Sequence, residues 1–216
     1  MKTRFVCLAN SHKEGGRCVA GIEIDDNNHP VLLGGHPKWV RPVCNHTPHG
    51  EIPTHLVSAL NLLDIVEIEF LEKQTSNYQT ENYFFKENAI AINGSFDKSK
   101  LIYLCDNRSS IFNSKGKALS EEYINKLNHS LMFIKTNQFS VLKKTYEDTP
   151  GKIQCRLIFN YNESEYDFPI TDPAFLQQFQ REEEFYKKHN EVFLTLSLGI
   201  KWQDWYYKLV AGLIWN

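Results

Sequence analysis

The chain has no run of about 18 apolar residues, so nothing in it reads as a membrane-spanning helix. It has no CxxC pair either. Cys7, Cys18, Cys44, Cys105 and Cys155 are odd in number and widely spaced, which leads us to expect reduced thiols in a cytoplasmic protein. Met1-Lys2 leads straight into strand-like sequence, without the pattern of a signal peptide. An excess of positive charge is also missing: the net charge is −2 and the isoelectric point near 6.4. That excludes a protein that coats itself in nucleic acid by charge alone. There is no GxSxG, no Rossmann glycine pattern, no kinase signature set, no Walker spacing and no HExxH. These absences weigh towards a binding protein over an enzyme.

Hydrophobic content of 42% and aromatic content of 13% support a real core, and 216 residues hold one large domain or two small ones. Charge is unevenly spread. Residues 1–50 carry six Lys/Arg against four Asp/Glu and residues 101–150 seven against five, whereas residues 51–100 carry four against eight. A polyanion site is therefore expected to be local and groove-like.

Strand-like runs cover about 3–9, 17–24 and 38–43, judged by Val, Ile and Phe content between Gly, Asn and Pro. Pro53–Leu60 suits two helical turns, Leu62–Phe70 a strand and Asn82–Ile92 another. Residues 93–129 read as a helical connector, with Ser95 and Ser120 as candidate caps. Strands follow at Leu131–Lys135, Phe139–Thr145, Lys152–Tyr161 and Glu165–Ile170, with turn residues at Thr149–Gly151. Asp172 and Pro173 open the clearest helix, running to about His189, and strands at Val192–Leu198 and Trp205–Ile214 close the chain. Three strands, a helix and two strands thus occur twice. A five-stranded Greek-key barrel with a helix between its third and fourth strands is the OB-fold. The expectation is a mainly β (α+β) protein: one OB-like barrel over 1–92, a connector over 93–129 and a second OB-like barrel over 130–216.

Taken together, CLANSHKEGGRCVAG, KWVRPV, LDIVEI, YQTEN, SLG and YKLVAG resemble the dual-OB domain family of prokaryotes, in the same order and across nearly the whole chain. The resemblance implies two OB barrels, recognition of nucleic acid or nucleotides, and an association with biological conflict such as phage defence. It brings no catalytic residue set.

Candidate site residues fall on these segments. Asn10, Ser11, Lys13 and Arg17 surround Gly15-Gly16 in a polar hairpin connection, whose amides and cations suit a phosphate; otherwise it is a solvated turn. Trp39 and Arg41 leave one strand face together, a stacking ring beside a guanidinium. Gln79, Glu81 and Asn82 can read base edges or fix a turn. Trp202 and Tyr206 are, with Trp39, the candidate exposed stacking platforms, and Lys208 shares a strand face with Tyr206. Cys18, near Arg17 and His12, is more in keeping with a structural thiol than a nucleophile. Cys44, His46, His49 and His55, with His29 and His36 upstream, invite a zinc reading, yet the region looks like an ordinary Pro/Gly loop, and no metal or cofactor is expected. The leading expectation is a non-enzymatic module that binds single-stranded DNA or RNA, or a nucleotide, through a cleft on the N-terminal barrel. Two alternatives stand beside it: an enzyme acting on such a ligand, and an adaptor for a nuclease or helicase partner encoded nearby.

Overall fold

A computed structural model of the chain describes residues 2–74, 78–145 and 153–216, with only the backbone of Asn88. The expected turn at Thr149–Gly151 and the strand start at Lys152 lie outside the described residues. The strands are β1 (Lys2–Lys13), β2 (Gly16–Glu23), β3 (Leu32–Leu33), β4 (His36–Pro37), β5 (Trp39–Val43), β6 (Asp64–Lys73), β7 (Asn82–Ser95), β8 (Ala118–Leu119), β9 (Leu131–Thr136), β10 (Phe139–Thr145), β11 (Ile153–Tyr161), β12 (Ser164–Pro169), β13 (Val192–Trp202) and β14 (Trp205–Trp215). The α-helices are α1 (Thr54–Val57), α2 (Glu121–Ile124) and α3 (Pro173–Arg181). Among the described residues no helix is long and apolar enough to cross a membrane.

The first barrel closes in the order β1-β2-β5-β7-β6, with β5 and β7 parallel and α1 between β5 and β6. That is the OB strand order, with the helix in its usual place. Its first strand explains why FVCLA is apolar without alternation. Phe5 and Cys7 fill the barrel interior with Val19, Val40 and Val66. Val6 and Leu8, on the opposite face, join a second cluster with Phe133, Phe193, Ala211 and Ile214 from the other half. A strand buried on both faces reads as a continuous run.

The second half follows the same circuit with a broken first strand. β9 pairs with β13 and β10 with β11, and the two are separated only by Asn137 and Gln138. β11 pairs with β12, a parallel bridge joins Ile170 to Val210 of β14, and β14 pairs with β13. The core of this partly open barrel holds Met132, Leu157, Phe159, Phe168, Phe175 and Phe179. Asp172 caps α3 by accepting from the amides of Ala174 (2.9 Å) and Phe175 (3.2 Å), as its position before Pro173 foretells.

Three local readings need correction. Residues 93–129 are not a run of helices standing between two barrels. β7 extends to Ser95, and the rest is 3-10 turns at Lys98–Leu104 and Ile111–Asn113, the short β8 and the one-turn α2. Leu101 and Leu104 pack in the cluster shared by both halves, and Ile111, Phe112 and Ile124 in the second core, so buried side chains and not helix propensity set its path. Asp97, not Ser95, caps the first turn, and Ser120 makes no side-chain cap bond. The long helix ends at Arg181 and resumes only as a 3-10 turn at Phe185–Lys188, because burial of Phe185 breaks the helical register. Finally, Asn10–Gly16 is mostly strand: only Glu14 and Gly15 form the turn, both with positive φ (43° and 86°).

Candidate functional site between the two barrels

A cavity of about 580 Å³ lies where the halves face each other. Ligand pockets usually occupy about 300–1,000 Å³. Ser11, Lys13 and Cys18 reach it from β1 and β2, Arg41 from β5, and Gln79 from the connection between β6 and β7. Gln154 and Arg156 of β11, Pro169 of β12, and the β13–β14 hairpin with Ser197, Leu198, Trp202, Tyr207 and Leu209 form the opposite wall. OB folds bind through the face of their second and third strands and the loops joining strands one–two and four–five. In the first barrel those elements carry Cys18, Arg41 and Gln79, with Lys13 at the end of β1 beside the first of those loops. In the second they carry Arg156 and Pro169, with Trp202 and Tyr207 on β13 and β14 near the turn that joins those strands. The two binding faces therefore open into one recess.

Strand alternation delivers the first-barrel set. Ser11 and Lys13 lie on one face of β1, and Ser11 sits opposite Cys18 across the ladder. Lys13 has its ammonium pushed below the ordinary lysine value, first by burial and also by the nearby Arg41. Arg41 is 1% exposed. Its Nη1 donates to Asn82 Oδ1 (3.1 Å) and its Nη2 to Ser130 Oγ (3.0 Å), while Nε has no partner among the described residues. Glu81 meets this guanidinium only through Ser130, accepting from its amide (2.6 Å) and hydroxyl (3.0 Å). Among the described residues neither Arg41 nor Lys13 forms an ion pair. A buried cation without a direct counter-ion is costly. An anion entering the recess offsets that cost and raises the pKa of Lys13 back towards its usual value. Arg156, by contrast, is matched: its Nε donates to Asp167 Oδ1 at 2.5 Å and its Nη1 to Gln154 Oε1 at 2.6 Å.

Several expected site residues lie elsewhere. Trp39 is 7% exposed and its ring packs in the cluster between the barrels, so it offers no stacking platform. It borders a separate recess, beside Asp106 and His129. Glu81 and Asn82 hold Arg41 and each other's turn instead of facing a ligand; Asn82 Nδ2 donates to Gln74 Oε1 (2.9 Å) and Gln79 Oε1 (3.1 Å). Asn10 closes the end of α1, donating to the carbonyls of Val57 (3.0 Å) and Leu60 (2.9 Å). Arg17 stands with it in another recess, near Asp172. Lys208 is fully buried, donating to the carbonyls of Ile111 (2.9 Å) and Ser114 (2.6 Å), out of reach of a phosphate in solvent. Tyr206 is buried against Tyr78, with ring centroids 5.0 Å apart. Because β14 alternates, burying Tyr206 and Lys208 turns Tyr207 outward. Trp202 is 65% exposed. Of the cysteine–histidine group, Cys44 and His46 come together, whereas His29 sits by Asp25 and His36 by Asp106.

Sequence reasoning passed over Gln154, Arg156, Ser197 and Tyr207. Arg156 carried a signal, since a lone arginine inside the apolar run of β11 must find a partner or line a recess. Ser197 and Tyr207 fall within the SLG and YKLVAG segments that carry the family resemblance, but the resemblance gives neither a role.

A family model described as the dual OB-containing domain matches residues 3–213. No curated protein matches the chain.

Proposed function

Because the chain belongs to the dual OB-containing domain family, we propose that it recognises a nucleotide, or the end of a single-stranded nucleic acid, in the recess between its barrels. The observation that carries this reading is the buried Arg41 guanidinium, beside Lys13 and without a direct carboxylate partner, at the meeting of two OB binding faces. Arg41 and Lys13 take the phosphate. Leu198 and Leu209 supply apolar wall, and Trp202 and Tyr207 at the rim stack a base. The enclosed volume favours one nucleotide over a long polymer, and the near-neutral net charge agrees. The setting we propose is defence against phage, on the resemblance alone.

Calorimetric titration with a nucleoside, its 5′-phosphates and a 5′-phosphorylated oligonucleotide tests the reading. Binding should require the phosphate and weaken about tenfold or more in Lys13→Ala, a change at the half-buried end of β1 that leaves the fold intact. With two cations engaged, the log–log salt slope should be near about −1.4, far shallower than that of a protein tracking a strand. Equal binding of the bare nucleoside, or indifference to Lys13→Ala, would overturn it. Product analysis after incubation, with and without EDTA, separates binding from turnover.

A further inference from the structure

We propose that Cys44, His46 and Glu87 form a binding site for a zinc-class divalent ion, apart from the recess between the barrels. Cys44 directly follows β5, and Glu87 lies on β7 three residues past Phe84, which pairs with Val43 across the parallel β5–β7 ladder. The ladder therefore brings together two side chains separated by 43 residues, and His46 joins them from the loop that leaves β5. That loop is braced: Thr47 Oγ1 donates to the Glu51 carbonyl (2.8 Å), and the His49 amide donates to Glu51 Oε2 (3.0 Å).

The geometry is close to that of a metal site. His46 Nδ1 lies 3.3 Å from Glu87 Oε1, and Cys44 Sγ lies 3.8 Å from the same oxygen. All three ligand atoms fall within 4.8 Å of one another. Zinc bonds of about 2.3 Å to sulfur and about 2.0 Å to nitrogen and oxygen give tetrahedral edges of roughly 3.3 Å (N···O) and 3.5 Å (S···O). The two separations to Glu87 Oε1 need to change by only tenths of an ångström, and the sulfur–nitrogen one, no more than 4.8 Å, closes to a tetrahedral edge of roughly 3.5 Å.

The donor set also selects the ion. A thiolate and a carboxylate balance a double positive charge, and a neutral imidazole completes three ligands. Mixed sulfur, nitrogen and oxygen donors suit zinc or cobalt and not magnesium or calcium, which take oxygen. As the metal–sulfur bond forms, the thiol proton leaves to solvent. Cys44 is buried, but the His46 side chain is about half exposed (53%), so the fourth position opens to water. None of the three side chains lines the recess between the barrels, so this site stands or falls independently of the nucleotide reading.

The full chain, stripped with a chelator and titrated with Co²⁺ and then Zn²⁺, tests the site. One equivalent of Co²⁺ should give tetrahedral ligand-field bands and a sulfur-to-cobalt charge-transfer band that Zn²⁺ displaces. Cys44→Ser should remove the charge-transfer band, while Cys155→Ser should retain it. His46→Ala, an exposed change that spares the core, and Glu87→Gln should each weaken Zn²⁺ binding about tenfold or more, read by competition with a chromogenic chelator. Absence of the charge-transfer band in the unaltered chain, or unchanged affinity in both His46→Ala and Glu87→Gln, would overturn the proposal.

Discussion

The carbonyl oxygen of Leu8 lies only 2.2 Å from where a β-carbon on Gly212 would stand. The β1–β2 register shifts between Cys7 and Ala9, a bulge that leaves Leu8 unpaired on that ladder. Its carbonyl instead accepts from Thr195 Oγ1 of the second barrel at 2.5 Å. The two halves thus meet backbone to backbone, and only glycine permits that approach. Gly212→Ala should force β1 and β14 apart, costing about 1–3 kcal/mol as overpacking. Thr195→Val should leave the Leu8 carbonyl unpaired, at a cost of about 1–3 kcal/mol. Chemical denaturation checks both, and an unchanged midpoint in Gly212→Ala would mean that the barrels do not touch here.

The rim aromatics should separate binding from stability. Trp202 is 65% exposed, so replacing it with alanine removes little packing, whereas Tyr207, 36% exposed, gives up more. Each should weaken nucleotide binding by about 1–3 kcal/mol, the usual worth of a stacked base. Trp39→Phe, buried between the barrels, should alter the melting temperature and leave affinity nearly unchanged. If Trp39→Phe proved the stronger binding defect, the base would lie in the recess by Asp106, not between the OB faces.

Much of the fold was legible because strand patterns and turn residues are local. Phe139–Thr145 and Asp172-Pro173 stand where the sequence puts them. The site was legible only by half. Ser11, Lys13, Arg41 and Gln79 reach one cavity, but nothing local tells which face of a doubly buried strand meets a partner element. Trp39 was misread for that reason: two residues from Arg41 on one face, it meets the core between the barrels while Arg41 meets the cavity. Tyr206 and Tyr207 lie on opposite faces of β14, which starts at Trp205 as expected, but nothing local tells which of its two faces is buried. Glu87 escaped notice because its relation to Cys44 exists only through the parallel β5–β7 pair.

His129 should make the protein acid-sensitive. It is 7% exposed, and its pKa is lowered from 6.5 to about 4, first by burial and then by Arg108 and His36 nearby. The fold therefore holds the ring neutral while the unfolded chain takes up a proton. Stability should fall as pH drops from 6.5 to 4, by roughly 3 kcal/mol from this group. Asp106, whose carboxyl is raised by burial, pulls the opposite way, so the comparison is with His129→Gln. Urea denaturation between pH 7 and 4 should show a shallower loss in the variant, and parallel curves would place the imidazole in contact with water.

Lys208 sets the alkaline side. It is fully buried, with its ammonium over the rings of Tyr166 and Phe168 at 5.7 Å each, and burial lowers its pKa from 10.5 to about 7. Between these values the unfolded chain binds a proton that the folded chain does not, so stability should rise with pH from 7 upward. Above pH 9 the buried thiols oppose this. Cys7 and Cys105 are pushed up to about 12, and they stay protonated in the fold while the unfolded chain ionises. The informative window is therefore pH 7 to 9. Lys208→Met takes a donor from the carbonyls of Ile111, which keeps the Ser114 amide, and Ser114, a penalty that does not vary with pH, so the slope and not the offset reports the titration. Relative to the variant, the unaltered chain should gain roughly 2–3 kcal/mol across those two pH units. A constant difference would mean that two carbonyl acceptors and two ring faces hold the ammonium charged inside the protein.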